Sequence, residues 1–312
     1  MEGMFYVANR LYGLTFIKRT DIPKYHPDIK TFEVTRDGKH VGILMIDNYP
    51  RSSKRGGAWC GSFRSQRRDI KGKMIYPLVT MVTNSTPPTD DKPSLLTSYE
   101  AETLFHEFGH ALNGLLSDIT CPGSSAPRDF VELPSQIMEH WVLEPEVLKV
   151  YAKHYLTNEI IPAEIVEKLE ESSKFNTGFT TVEYIAASLL DMQYHTIEKP
   201  ADLNIRDFEN KAMEIYGLIP EIKPRYRSTY FNHIWAGGYS AGYYSYLWCE
   251  ILDADAFQAF KETGDIFNKE VAARFENEIL SKGGTRDPLE MYIAFRGKEP
   301  GIDALLLNRG LK

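Results

Sequence analysis

Cysteine is scarce in this chain. Its 312 residues hold three, Cys60, Cys121 and Cys249, all far apart. That spacing excludes a disulfide framework and a cysteine-built zinc site, and leaves reduced, buried thiols. No apolar run reaches the roughly 20 residues needed to span a bilayer. The opening MEGMFYVANRLYG has no charged region followed by an apolar stretch, so it does not read as a signal peptide. Basic charge is not in excess: 36 Lys and Arg stand against 43 Asp and Glu, a net charge of −7. This gives no electrostatic footprint for nucleic acid and no polybasic membrane patch. Internal repeats, low-complexity tracts and linker-like stretches are also absent. The remaining composition, 43% hydrophobic and 25% charged, is that of a globular protein long enough to bury a sizeable core.

The most informative stretch is Thr97 to Ser117, TSYEAETLFHEFGHALNGLLS. Thr97 and Glu100 have the spacing of a capping box. Leu104, Phe108, Ala111, Leu112, Leu115 and Leu116 recur at helical spacing, which predicts an amphipathic helix of about five turns. Residues four apart share a side of a helix, so His106 and His110 project together. Two imidazoles so placed can hold one Zn²⁺, with Glu107 beside them to take a proton from water. Two histidines on a helix can equally be ordinary surface residues, so the rest of the chain must supply a third ligand and an oxyanion donor.

Taken in order, residues 1 to about 20 read as a helix running into an extended segment. Thr31 to Thr35 and His40 to Asn48 read as strands of a hairpin around Asp37-Gly38. Ala58 to Phe63 reads as a short strand and Ile75 to Asn84 as a longer one weakened by Pro77. Gly56 and Gly57 before Ala58 let backbone approach backbone closely. A ligand strand can pair at Gly57 and Ala58, although a plain turn accounts for the same residues. Asp118 to Arg128 is a loop. Asp129 and Glu132 have capping-box spacing at the head of a helix continuing through Met138, Trp141 and Val142. Val147 to Lys223 reads as several helices, with Tyr184 to His195 apolar and buried. The tail from Ala254 is helical, broken by a polar loop at Ser281 to Asp287.

A catalytic zinc takes three protein ligands and keeps one position open. No third histidine follows His110 at the HExxHxxGxxH spacing. Glu132 and Glu139, both on the following helix, are the rival carboxylates. A second notable stretch, Asn232 to Trp248, carries His233, Tyr239, Tyr243, Tyr244 and Tyr246. Tyrosine hydroxyls and a histidine suit an oxyanion site, but a tyrosine-rich helix also makes a packing face with one wet edge.

The stretches HEFGHAL, RDFVELPSQ and HIWAGGYSAGYYSYLW resemble the zinc metallopeptidase family of thimet oligopeptidase, oligopeptidase A and bacterial peptidyl-dipeptidase. Ser53 to Trp59 and Phe175 to Phe179 resemble it too. Gly61-Ser62-Phe63 after Trp59, with GGYSAGYYSYLW, is more like the peptidyl-dipeptidase branch. The resemblance implies that His106, His110 and Glu132 are zinc ligands, one ion per chain, and that Glu107 is the general base. It implies that His233, Tyr239 and Tyr246 bind substrate and stabilise the oxyanion, and that Tyr243 lines the same cleft. Two departures stand out: Asn113 replaces a frequent histidine, and family members are about twice this length.

The expected fold is α+β and mostly helical. It is a single zincin-like catalytic region, with a small twisted sheet in residues 1–95 and a helical body with the metal site in 96–312. By resemblance, the expected function is hydrolysis of short peptides with release of C-terminal dipeptides. Arg225, Tyr226 and Arg227 are candidates to bind the free carboxylate, against a reading as a solvated loop. The alternatives are an endo-acting oligopeptidase of the same family and a truncated, weakly catalytic half that binds zinc. Such a half would pair with a missing N-terminal lobe or self-associate. The expected compartment is the cytoplasm; the periplasm stays open, because an export signal would lie in the missing half.

Overall fold

A hairpin seeds the sheet. In the computed structural model, which describes residues 1–121, 126–199 and 202–312, α1 (Glu2–Tyr12) leads through Gly13 into β1 (Leu14–Arg19). The strands β2 (Lys30–Arg36) and β3 (Lys39–Asp47) follow. Asp37 and Gly38 both take positive φ, 51° and 70°. Those values belong to the tight turn whose twist matches an antiparallel pair. Then come β4 (Trp59–Arg64), a small ribbon of β5 (Arg67–Arg68) and β6 (Met74–Ile75), and β7 (Leu78–Val82). The main sheet runs β1-β2-β3-β7-β4, with β3 and β7 parallel and the other pairs antiparallel. β4 is therefore an edge strand. The longer strand expected from Ile75 is divided at Pro77, which has no N–H to give a ladder. Ile75 joins the ribbon, and the Pro77 carbonyl accepts from Ile43 N at 3.0 Å.

α2 (Ser98–Leu116) lies across β3, β7 and β4. Its capping box forms in full: Glu100 N donates to Thr97 Oγ1 at 3.1 Å, and Thr97 N to Glu100 Oε2 at 2.8 Å. Leu104, Phe108, Ala111, Leu112 and Leu115 are buried, as the helical spacing requires. On a 3.6-residue repeat only one face of the helix points inward, and the two histidines fall at its margin, partly exposed.

The rest is helical: α3 (Leu133–Glu139), α4 (Pro145–Tyr151), α5 (Ala163–Ser173), α6 (Thr177–His195), α7 (Ile205–Ile215), α8 (Asn232–Trp235), α9 (Ser245–Lys261), α10 (Lys269–Phe275), α11 (Pro288–Arg296) and α12 (Asp303–Asn308). One buried cluster joins α1, the sheet, α2, α3 and α9 to α11, including Phe108, Trp141, Phe260 and Phe295. Two smaller clusters lie under α6 and α7 and beneath the tyrosine loop. Among the described residues no helix is long and apolar enough to cross a membrane.

Three local expectations are corrected. α3 begins at Leu133, and no Asp129–Glu132 capping box forms, because both carboxylates have other partners. Asp129 Oδ2 accepts from the Tyr244 hydroxyl at 2.9 Å. α3 also stops at Glu139, with Trp141 and Val142 in the turns beyond it. In α6, Ala186, Ala187 and Leu190 are buried, but Ile185 and Met192 are exposed. Part of the loop read over 118–128, residues 122–125, lies outside the described residues.

Candidate active site

Helix α2 sets the first two groups. His106 and His110 stand one turn apart with ring centroids separated by 5.1 Å. α3 crosses α2 at Gly109, in the middle of the motif. A Cβ there would lie 2.1 Å from the Pro134 carbonyl oxygen and 2.6 Å from Ser135 Cα. This close approach brings Glu132, just ahead of α3, to both imidazoles. Glu132 is 1% exposed, and its Oε2 is 3.3 Å from His106 Nε2 and 3.0 Å from His110 Nε2. Ser135 Oγ donates to the same oxygen at 2.8 Å, and the Tyr239 hydroxyl donates to Oε1. Burial alone would raise the Glu132 carboxyl, but the two histidines outweigh it and hold it well below the ordinary value.

Glu139, the rival carboxylate, takes the other side of the ring. His106 Nδ1 donates to Glu139 Oε1 at 2.5 Å. A neutral His106 with its proton on Nδ1 points a lone pair from Nε2 at the Glu132 carboxylate. Either a proton on Nε2 or a metal ion must therefore lie between that nitrogen and the carboxylate. The donor atoms of His106, His110 and Glu132 all lie within 4.8 Å of one another. Two imidazole nitrogens and a carboxylate oxygen are the donor set of a catalytic zinc, so these residues fit that ion. The Glu139 contact is the kind that fixes a ligand's tautomer and raises its basicity.

Glu107 lies on the next position of α2, 5% exposed, and its Oε2 has no hydrogen-bond partner among the described residues. Burial raises its carboxyl above the ordinary value, with the histidines pulling partly back. It is a buried carboxylate ready to accept a proton.

The tyrosine stretch is a loop rather than one helix. α8 ends at Trp235, and only Tyr246 of the four tyrosines sits on α9. Gly238 and Ala241 take positive φ, 80° and 52°, and turn the backbone back on itself. Tyr239 and Tyr246 stack at 5.2 Å, and His233 lies 5.9 Å and 6.1 Å from them. Burial, reinforced by the Glu132 charge, pushes both hydroxyls up, so they stay protonated donors. Burial, with the Arg225 charge, lowers His233, which stays neutral near pH 7. Tyr243 is 1% exposed and packs behind this group, 5.3 Å from His233 and 5.5 Å from Tyr246.

A family model described as peptidase family M3 matches residues 1–311. The chain belongs to peptidase family M3. Among its M3 relatives, dipeptidyl carboxypeptidase of Salmonella typhimurium is 43% identical over 99% of this chain and 46% of the relative. Oligopeptidase A of Escherichia coli is 38% identical over 100% and 47%. Saccharolysin of Saccharomyces cerevisiae is 32% identical over 100% and 46%. The chain spans about half the length of the curated relatives it matches.

In this M3 chain Gly57 and Ala58 stand at the head of the edge strand β4. Asn84 Nδ2 holds the segment from behind, donating to the carbonyls of Gly57 at 2.7 Å and Arg55 at 2.9 Å. Arg227 is committed elsewhere, paired with the buried Glu209. Asp191 went unnoticed in the sequence, although a lone acid inside YIAASLLDMQYH was a signal. It is fully buried on α6 and accepts from Ala241 N at 3.0 Å and Tyr243 N at 2.9 Å, with His195 Nδ1 at 2.8 Å. Its carboxylate thus fixes the tyrosine loop from below. Asp191→Asn puts an amide donor against one of those N–H groups. The expected loss is about 1–3 kcal/mol of stability, read by urea unfolding, with zinc content unchanged. Wild-type stability in this variant would show that the loop is held by other contacts.

Proposed function

We propose that this chain carries the catalytic site of a zinc-dependent peptidase that acts on short peptides and releases dipeptides from their C-terminus. The observation that carries this reading is the convergence of His106, His110 and Glu132 beside the unpartnered carboxylate of Glu107, with the His233, Tyr239 and Tyr246 group against it. A zinc ion held by the first three would act as a Lewis acid, acidifying water and polarising a carbonyl.

Glu107 takes the proton of the attacking water as it adds to the scissile carbonyl, then passes that proton to the leaving amine. Its raised pKa suits both halves of this exchange. The Tyr246 hydroxyl, joined by that of Tyr239 when it turns from Glu132, donates to the developing oxyanion, and neutral His233 holds the substrate beside them. Substrate backbone pairs with the free edge of β4 near Gly57 and Ala58, and Tyr243 backs the ring cluster. We read the metal helix under a sheet edge as a zincin-like arrangement and residues 1–312 as one catalytic region, with 1–95 contributing the sheet and 96–312 the helical body.

The expected result is cleavage of a quenched peptide with a free C-terminus, abolished by a chelator and restored by Zn²⁺, with dipeptides among the products by mass spectrometry. Cleavage indifferent to chelation would sink the reading, and internal cuts only would favour an endo-acting oligopeptidase. A second reading rests on the half-length match and on the exposed Leu156, Ile160, Phe175, Ile215 and Ile219. Here the chain binds zinc but catalyses weakly until a further lobe, or a second copy, covers such exposed apolar side chains.

A further inference from the structure

The net charge of −7 hides one basic segment. From Asn48 to Thr89 the chain has eight Lys and Arg against one acid, Asp69. Five of the eight lie between Arg64, the last residue of β4, and Lys73, just ahead of β6. Asp69 is spent on the turn between them: its Oδ1 accepts from Lys71 N at 2.8 Å and from Lys73 N at 2.9 Å. Arg68 pairs with Asp118 at 2.6 Å. No carboxylate among the described residues lies within 4 Å of Arg64, Arg67, Lys71 or Lys73. Arg64 is exposed, and of its guanidinium only Nε is engaged, donating to the Tyr76 carbonyl at 2.8 Å.

β4 runs alongside the metal helix and in the same direction. The extended chain after β7 meets the start of α2, where Thr86 N donates to Glu100 Oε1 at 2.6 Å. Val79 meets the far part of α2, at Gly114. The strand residues from Val79 to Thr86 span about 23 Å, and the helix from Glu100 to Gly114 about 21 Å, so the two keep pace. β4 is antiparallel to β7, with Trp59 opposite Val82 and Arg64 opposite Leu78. Trp59 therefore stands at the level of Glu107, and Arg64 lies beyond Gly114. The ribbon of β5 and β6 closes that end: Gln66 Nε2 donates to the Ile119 carbonyl at 3.1 Å, and Ile119 N to Gln66 Oε1 at 2.8 Å. Leu78, next to the inward Val79, faces away from α2, and so does Arg64 opposite it.

We propose that Arg64 binds an acidic side chain of the peptide about four residues before the scissile bond, so that the site selects acidic substrates. The inference deepens the peptidase reading above and rests on it. From the level of Glu107 the edge of β4 continues for about 13 Å to Arg64. A leaving dipeptide spans about 7 Å and falls short of it, so the longer acyl part of the peptide lies there. That part then runs antiparallel to β4, the more stable pairing. Its side chains alternate between the two faces, and one on the outer face lies beside Arg64, about 5 Å away across the strands. The two free Nη groups form a fork that matches a carboxylate. Arg67, Lys71 and Lys73 add positive charge in the residues that follow.

The test is equilibrium binding of nine-residue peptides with a free C-terminus, in which one position carries Glu, Gln or Lys and that position is walked along the peptide. Fluorescence anisotropy on the full chain carrying Glu107→Gln, which leaves them uncut, gives the affinities. Within one residue of the sixth position from the C-terminus, the Glu peptide should bind about 10-fold more tightly than the Lys peptide, with Gln between them. Added salt should shrink that preference. Arg64→Met should bring the three peptides within about two-fold of one another. Arg64→Lys should keep part of the preference, and Lys168→Met, on α5, all of it. Equal affinity for the three peptides, a preference confined to the last two residues, or one that survives Arg64→Met would overturn the assignment. A parallel cleavage assay separates the two claims. Glu preference lost in Arg64→Met, without cleavage by the chain that keeps Glu107, leaves the acid site standing and removes the catalytic reading. Zinc-dependent cleavage with no Glu preference does the reverse.

Discussion

Glu107→Gln is expected to lower peptide turnover by about 10²- to 10⁴-fold while the chain still binds one zinc ion. The substitution keeps shape and burial but removes the group that accepts a proton. The Glu107 Oε2 has no hydrogen-bond partner among the described residues, so no hydrogen bond of the fold is lost at that atom. It also lies outside the group of donor atoms that converge on the metal position. Folding and zinc content should therefore stay as they are, and losing a carboxylate raised by burial could relieve rather than create strain. Steady-state kinetics with metal analysis checks this. Turnover within a few-fold of the unaltered chain would remove Glu107 from the proton-transfer role. A loss of zinc alongside activity would assign it to the metal instead.

Gly109→Ala is expected to cost about 1–3 kcal/mol of stability and about 10- to 100-fold in zinc affinity. In most helices the change from glycine to alanine is favourable, by about 1 kcal/mol. Here the new methyl would fall inside the backbone of α3, at the Pro134 carbonyl and Ser135 Cα. Neither is a flexible side-chain tip, so α3 must move away from α2. Glu132 is carried on the start of α3, and its 3.0 Å and 3.3 Å approaches to the histidines would open. Gly114→Ala is the control on the same helix. Its methyl meets only the Val79 side chain at 3.2 Å, which can rotate. Thermal unfolding with and without zinc, together with competition against a chelator of known affinity, would show the contrast. Equal behaviour of the two variants would mean that the helix crossing does not set the third ligand.

The same crossing explains why a short motif alone does not make a site. HEFGH places two ligands by local geometry, and its glycine admits the third from another helix. A glycine in mid-helix with ordinary φ has no conformational reason to be there. Its reason is the neighbour it touches, which the linear order of residues does not display.

What the sequence by itself determined was local. The capping box of Thr97 and Glu100, the Asp37-Gly38 hairpin and the shared side of His106 and His110 all follow from spacings of a few residues, where helix and turn geometry leave little freedom. The coarse class followed as well, a small sheet ahead of a long helical remainder. The tertiary structure alone decided which nitrogen each carboxylate meets. Glu132 and Glu139 are equally plausible by composition, and only the packing of α3 on α2 puts one at Nε2 and the other at Nδ1 of His106. It also broke the expected Asp129–Glu132 capping box, because both carboxylates are drawn to distant tyrosines, Tyr244 and Tyr239. And it turned a run of tyrosines from a helix face into a loop held by the buried Asp191. Contacts between residues 50 or 100 positions apart depend on how whole elements pack. Local periodicity carries no record of that packing.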